Sequence, residues 1–406
     1  MRIFPQAWGL PIVMTALITL GGCGIHSSSR VSHSTHHQDA SSAWLNIRLL
    51  HMMSPENGWA SIAHRILRTQ DGGQTWIDVT PSIQTHTSHR LLPIWVNTET
   101  AFAIVNLSPH HSVLVRTTDA GHVWQTMGAF PLFLSAKIFG LPQFVSSKTG
   151  WIVARSRGAA GTEQIALEST NNGGRSWLPV FSDYNQNLGG GSGDVGRLTF
   201  VNAGQGEMTG SYPEAGKVYL QWTQDGGQTW HPQTLPIPAS FSHSQWPETQ
   251  MTTTPPQFFG LTHQSGIIPV TLGDQLWIYR TVDGGQHWTP TDQPPQGTAA
   301  SAIDFVTPQN GFVRTSNYTN HPPFGVQSRL WETINGGQTW QVVVNNLPPG
   351  NDTHLDFISQ TIGWALTSQP QPRGSLWRLW RTRDGGHHWV LTTAPSPPPT
   401  PTKSSR

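Results

Sequence analysis

One eight-residue motif recurs seven times along the 406-residue chain. Its copies are TQDGGQTW (Thr69–Trp76), TTDAGHVW (Thr117–Trp124), TNNGGRSW (Thr170–Trp177) and TQDGGQTW again (Thr223–Trp230). TVDGGQHW (Thr281–Trp288), TINGGQTW (Thr333–Trp340) and TRDGGHHW (Thr382–Trp389) complete the set. The shared pattern is T-x-[DN]-[GA]-G-x-x-W. Its third positions, Asp71, Asp119, Asn172, Asp225, Asp283, Asn335 and Asp384, lie 48 to 58 residues apart. A period near 40–50 residues is the mark of a propeller blade.

The motif has a local physical logic. Asp-Gly and Asn-Gly pairs supply the positive φ angles of a tight hairpin turn. The Asp or Asn side chain accepts hydrogen bonds from backbone N–H groups across the turn. The Trp opens the next strand and packs over the turn. Burying its ring removes about 150–250 Å² from water, worth roughly 4–6 kcal/mol before entropy losses. Trp76, Trp124, Trp177, Trp230, Trp288, Trp340 and Trp389 therefore account for seven of the chain's 19 tryptophans.

Upstream of each turn the pattern predicts three more short strands. An apolar strand comes first, as in Ala302–Val306 or His354–Ile358. A second strand often opens with Gly and an aromatic, as at Gly58-Trp59, Gly150-Trp151, Gly311-Phe312 and Gly363-Trp364. A third runs into the turn, as at Leu379-Trp380-Arg381. A four-stranded unit cannot bury both faces alone, so the units must stack radially. The expected fold is all-β: a seven-bladed β-propeller over residues 42–396, with four antiparallel strands per blade. The first strand is expected at Trp44 to Leu50 and the last at Trp389 to Thr393. No strand is left over. The ring is therefore expected to close by packing blade 7 on blade 1 with no strand shared between the chain ends.

Residues 1–23 have the form of a secretory signal: Arg2, an apolar run from Leu10 to Leu20, then small residues. Leu20-Gly21-Gly22-Cys23 resembles a bacterial lipobox, which implies cleavage and lipidation at Cys23, the chain's single Cys. Residues 24–41 are polar and read as a flexible linker. Residues 397–406 read as a disordered, Pro-rich tail. The expected location is extracytoplasmic, lipid-anchored to the bacterial cell membrane, or to the outer membrane in a diderm.

Composition excludes several classes. The net charge is +1 and only 11% of residues are charged, which argues against nucleic acid as a partner. One Cys excludes a disulfide framework and a Cys-cluster zinc site. HExxH, Walker A and G-x-S-x-G patterns are absent from the sequence. No catalytic residue, metal or cofactor is expected, and the protein is expected to be a monomer. The 19 His and few carboxylates predict tolerance of an acidic exterior.

The turns resemble Asp-box (BNR) repeats. With Gly-Trp on the second strand and R-T-x-D-G-G-x-T-W on the third and fourth, residues 42–396 resemble the photosystem II assembly and stability factor family. That resemblance implies a seven-bladed scaffold that assembles a membrane complex, carrying an arginine patch. The corresponding residues are Arg68, Arg116, Arg280 and Arg381, candidates for binding a membrane or envelope protein. Ser169, Trp222 and Glu332 stand at these points in the other three blades. On the opposite face, Arg157, Tyr184, Tyr212, Trp246 and Arg373 are candidates for a loop-face site. The alternatives are a carbohydrate- or cell-wall-binding propeller and a sialidase-like glycoside hydrolase. A hydrolase needs two facing carboxylates or an arginine triad with a Tyr nucleophile, and the sequence offers neither at recognisable spacing.

Overall fold

The structure, a computed structural model, describes residues 30–31 and 47–392. Within the second range it leaves out 63–64, 84–90, 109–110, 130–135, 139–140, 157–164, 183–194, 212–214, 274, 292–299, 320–324, 346, 349–352 and 372–373. The described residues form seven antiparallel sheets, each built on one continuous stretch of chain in strand order A-B-C-D, with one extra strand on blade 2. Blade 1 is Ile47–Met52, Gly58–Ile62, Arg65–Thr69 and Ile77–Asp78. Blade 7 is Thr353–Phe357, Gly363–Gln371, Gly374–Thr382 and Val390–Leu391. The fold is the expected seven-bladed propeller. Among the described residues the one helical piece is a short 3-10 turn, Trp246–Glu248.

Two inner strands are broken in two. In blade 3, Ala136–Ile138 and Gln143–Phe144 both pair with Gly150–Ser156. In blade 5, Met251–Thr253 and Gln257–Phe259 both pair with Ser265–Leu272. Pro142, and Pro255 with Pro256, stand at the breaks, and proline has no N–H to give to a ladder. Contrary to the expectation that no strand is left over, a further two-residue strand, Arg30–Val31, lies in the stretch expected as a linker and pairs with the outer strand of blade 2 at Trp124 and Gln125.

The core lies between blades. Seven buried apolar clusters each straddle one seam of the ring. At three seams the strand-B aromatic stacks on the strand-A Phe of the next blade: Phe102 on Phe144 at 3.7 Å, Trp151 on Phe200 at 3.8 Å, and Phe312 on Phe357 at 3.7 Å. The motif Trp then meets that same Phe edge-on, as Trp177 meets Phe144, Trp230 meets Phe200 and Trp389 meets Phe357. Such stacked and edge-on contacts add to simple area burial.

A second device stitches the inner strands. The residue before the strand-A Phe reaches the neighbouring blade's backbone. Phe357 N–H donates to Asp304 Oδ2 at 2.5 Å, Phe305 N–H to Gln257 Oε1 at 3.3 Å, and Phe200 N–H to Gln143 Oε1 at 2.5 Å.

The ring closes in the same way. Met52 N–H of blade 1 donates to Asp356 Oδ2 of blade 7 at 2.5 Å, and Leu50 O lies 3.1 Å from His354 Nε2. Trp364 Nε1 donates to Gly72 O at 2.9 Å, and Arg381 Nη2 to Pro55 O at 3.0 Å. Among the described residues no N-terminal strand joins blade 7, and the polar links across this seam run through side chains. Asp356→Ala strands a buried N–H, which costs about 1–3 kcal/mol. Urea unfolding should show that loss, while Asp78→Ala on the outer rim should leave the midpoint nearly unchanged.

Candidate functional site

The seven motif turns share one hydrogen-bond knot. Its hub is the motif Thr, which is buried in every blade, at 0–4% exposure. Its hydroxyl donates to the Asp or Asn Oδ1 at 2.7–3.0 Å. The same oxygen accepts the N–H of the second Gly at 2.8–3.0 Å. The Asp or Asn Oδ1 also accepts the N–H of the seventh motif residue at 2.8–3.0 Å. The Asx contact follows from the sequence pattern, whereas the central role of the Thr does not. In blade 2 the first Gly is replaced by Ala120, held at φ 62°, a left-handed conformation that disfavours side chains.

Electrostatics tighten the knot. In Asp71, Asp225 and Asp283 burial raises the carboxyl pKa. Hydrogen bonds from Thr or His side chains and backbone N–H groups outweigh it, and the net shift is downward. In blade 7 the His388 backbone N–H, aided by its ring at 2.6 Å, lowers Asp384 to about 2.

The four arginines just before the motif Thr reach onto the next blade. Arg381 bonds Pro55 O and lies 5.1 Å over the Trp364 ring. Arg116 Nη1 donates to Ser147 O at 2.8 Å and Nη2 to Gln125 Oε1 at 3.3 Å. Arg68, almost fully buried, pairs with Glu99 at 3.8 Å. Arg280 Nη1 donates to Asn335 O at 3.3 Å. Where Glu332 replaces the Arg, it accepts from Gln360 of blade 7 at 3.1 Å. The pre-Thr position is thus a link across the seam.

Blade 4 breaks the pattern in a way that sequence spacing did not reveal. Glu207 stands where other blades carry Trp59, Trp151, Phe312 or Trp364. It is 1% exposed and packs against Gly285 of the blade 5 turn. Neither carboxyl oxygen has a hydrogen-bond partner. Burial, and then the nearby Asp283, push its pKa well above the usual carboxylate value. Polar links surround it: Gln205 Nε2 donates to Gly284 O at 2.7 Å, Gln233 Nε2 donates to Gly285 O, and Trp288 Nε1 donates to Gln233 Oε1 at 3.3 Å.

Comparison with known proteins agrees with this architecture. The BNR/Asp-box repeat family model matches residues 221–232. No curated protein matches the chain by sequence. YCF48 from Cyanidioschyzon merolae superposes with a TM-score of 0.50 at 14% identity, covering 88% of this chain and 98% of that one. The chain is a seven-bladed propeller with an Asp-box repeat match in its fourth blade. An oligogalacturonate lyase in complex with manganese matches this propeller with a TM-score of 0.55 at 10% identity, over 88% of this chain and 98% of that one. An oligogalacturonate lyase from Vibrio parahaemolyticus matches at 0.52 and 7% identity, over 84% and 89%. At these identities the likeness is one of fold.

Of the loop-face candidates, Arg157, Tyr184, Tyr212 and Arg373 lie outside the described residues, as does Cys23. Trp246 is described. It sits half-buried on the 3-10 turn, edge-on to Phe241 at 5.8 Å, and Phe241 is edge-on to Trp277 at 6.0 Å. Among the described residues no three His, Cys, Asp or Glu side chains are grouped to hold a metal ion. No helix of the described residues is long and apolar enough to cross a membrane.

Two pH dependences follow. Asp384 has a lowered folded pKa, so its contribution is complete above about pH 4 and disappears as pH falls towards 2. Asp384→Asn, the residue blades 3 and 6 use, should flatten the stability curve across that window in denaturant titrations. Glu207 has a raised folded pKa, so the unfolded chain loses its proton first as pH rises above the ordinary Glu value, and stability falls. Glu207→Gln should match the parent at pH 4 and exceed it at pH 7–8. An equal gain at both pH values would contradict a buried, protonated carboxyl.

Proposed function

We propose that the protein is a lipid-anchored, extracytoplasmic propeller acting as a non-catalytic binding or assembly scaffold for a membrane or envelope protein complex. The observation that carries this reading is the use of its charged groups. The box aspartates hold turns, Asp304 and Asp356 stitch inner strands, and Arg68, Arg116, Arg280 and Arg381 span seams. Residues that a hydrolytic site draws on are here part of the frame. The N-terminal segment supports the anchor, with Cys23 following an apolar run and small residues. The resemblance of residues 42–396 to the photosystem II assembly and stability factor family supports a scaffold, and YCF48 from Cyanidioschyzon merolae shares the fold.

The same four arginines remain candidate partner contacts, with Arg68 the most buried of them. A second reading, glycan binding, is favoured by the half-buried Trp246 and Phe241 pair, because an aromatic face stacks on sugar rings.

The test uses the full-length chain in cells. Wild type should partition with membranes and carry lipid at Cys23, and Cys23→Ser should release it. Crosslinking before detergent extraction should recover a defined membrane or envelope protein in near-stoichiometric amount. Turnover of sialosides or glucans, or specific retention on a glycan array without a protein partner, would overturn the scaffold reading.

A further inference from the structure

The second residue of the motif stands outermost on each C–D turn. In five blades it is polar: Gln70, Thr118, Asn171, Gln224 and Arg383. In blades 5 and 6 it is Val282, 78% exposed, and Ile334, 57% exposed. A third apolar side chain joins them on the same face. Leu261, 95% exposed, tops the A–B turn of blade 5, which packs on that blade's motif turn through Gly284 N–H donating to Gln264 O at 2.8 Å. Exposed apolar residues gathered on one surface mark interaction sites.

Beside them lies a groove of about 320 Å³ between the two turns, lined by Arg280, Val282, Asp283, His287 and Pro290 of blade 5 and Gln338 of blade 6. Asp283 is already engaged: Oδ1 accepts from Thr281 and the His287 N–H, and Oδ2 meets the His287 ring at 2.7 Å. Arg280 is the open group. It makes one bond, at 3.3 Å to Asn335 O, whereas Arg116 makes two and Arg381 is both bonded and stacked. The rest of its guanidinium is free to bond a carboxylate in the two-pronged manner that arginine favours.

We propose that this groove and the turns beside it dock a protein segment that presents apolar side chains next to a carboxylate, with Val282 at the groove and Leu261 and Ile334 on the flanking turns taking the apolar groups and Arg280 the acid. The inference rests on the scaffold reading and names the face and the chemistry of its partner. Charge complementarity selects this occupant, because Asp283 is held by its own turn and Arg280 is the groove's available charge, beside the exposed Val282.

The probe is a dye-labelled peptide of alternating leucine and glutamate, titrated with the full-length chain in detergent and followed by anisotropy. Replacing its glutamates by lysine, or its leucines by serine, should weaken binding at least tenfold. Val282→Asp and Ile334→Asp should each weaken it at least tenfold with no change in melting temperature, because both side chains point into water. Ile77→Asp and Val390→Asp, on the outer strands, should have no effect. Arg280→Gln should erase the preference for glutamate over lysine. Should that variant melt early, the two aspartate variants still decide the matter. Equal losses from all four apolar positions, unchanged binding in Val282→Asp, or retention on phosphatidylglycerol vesicles with no peptide binding would each overturn the proposal. A crosslinked partner recovered equally well with Val282→Asp and Ile334→Asp would sink the groove and leave the scaffold standing. Peptide binding at the groove with no partner in cells would support the groove and remove the scaffold.

Discussion

The buried threonine hydroxyl of each motif turn holds the ring's geometry in place. It ties the Asp or Asn carboxamide or carboxylate oxygen to the second Gly N–H within one turn. That knot fixes two successive positive φ angles, such as 75° and 89° at Gly72 and Gly73, and so aims the motif Trp back over its own blade. It also presents a bare glycine surface to the previous blade. Trp364 donates to Gly72 O, and Trp151 donates to Gly226 O. A side chain in place of Gly73 would meet Leu379 of blade 7 at 3.1 Å. The local turn and the long-range seam are therefore one construction, repeated seven times.

This explains how a chain with 11% charged residues holds a ring together without a shared strand. The few charges are placed where they satisfy backbone groups at seams. A carboxylate that accepts a backbone N–H in a buried place makes a strong bond and leaves no donor unpaired. Acid tolerance acquires a mixed physical basis. Asp71, Asp225, Asp283 and Asp384 keep their charge to lower pH than an ordinary carboxylate, and Glu207 gains from acidification. His354 pulls the other way: desolvation holds its pKa below the ordinary value, so the unfolded chain takes up a proton first as pH falls.

Seven motifs at a blade-sized period, with an aromatic opening most of the second strands, made the ring and its order of blades legible in the sequence. The seams were less legible. The contact of Met52 with Asp356 joins residues 304 positions apart, and no periodicity reports such a pairing. A signal was nevertheless present in the dipeptides Asp304-Phe305, Asp356-Phe357, Gln143-Phe144 and Gln257-Phe258, where an acceptor precedes the inner aromatic. The arginines were visible as a repeated position, but their reach depends on the neighbouring blade's A–B turn, as Arg116 shows at Ser147. Glu207 could be aligned with the aromatics, yet its isolation from hydrogen-bond partners is a property of the packed seam.

The departures from the repeat are not spread evenly. Blade 4 exchanges an aromatic for Glu207, its seam with blade 5 is held by Gln205 and Gln233, and blade 5 has a broken inner strand. The same blade carries His263 at φ 53° next to the exposed Leu261. A repeat protein gains stability from identical neighbours, so each exception weakens a local rule. Sequences that otherwise agree at every level tend to break their rules at sites of function. Blade 2 with Ala120 and blade 3 with its broken inner strand depart from the repeat as well, but only blades 4 and 5 join a buried unpaired carboxyl to exposed apolar residues on the neighbouring turn. An apolar surface and an accessible arginine stand on the same sector, so the cost in seam regularity and the gain in exposed chemistry fall in one place.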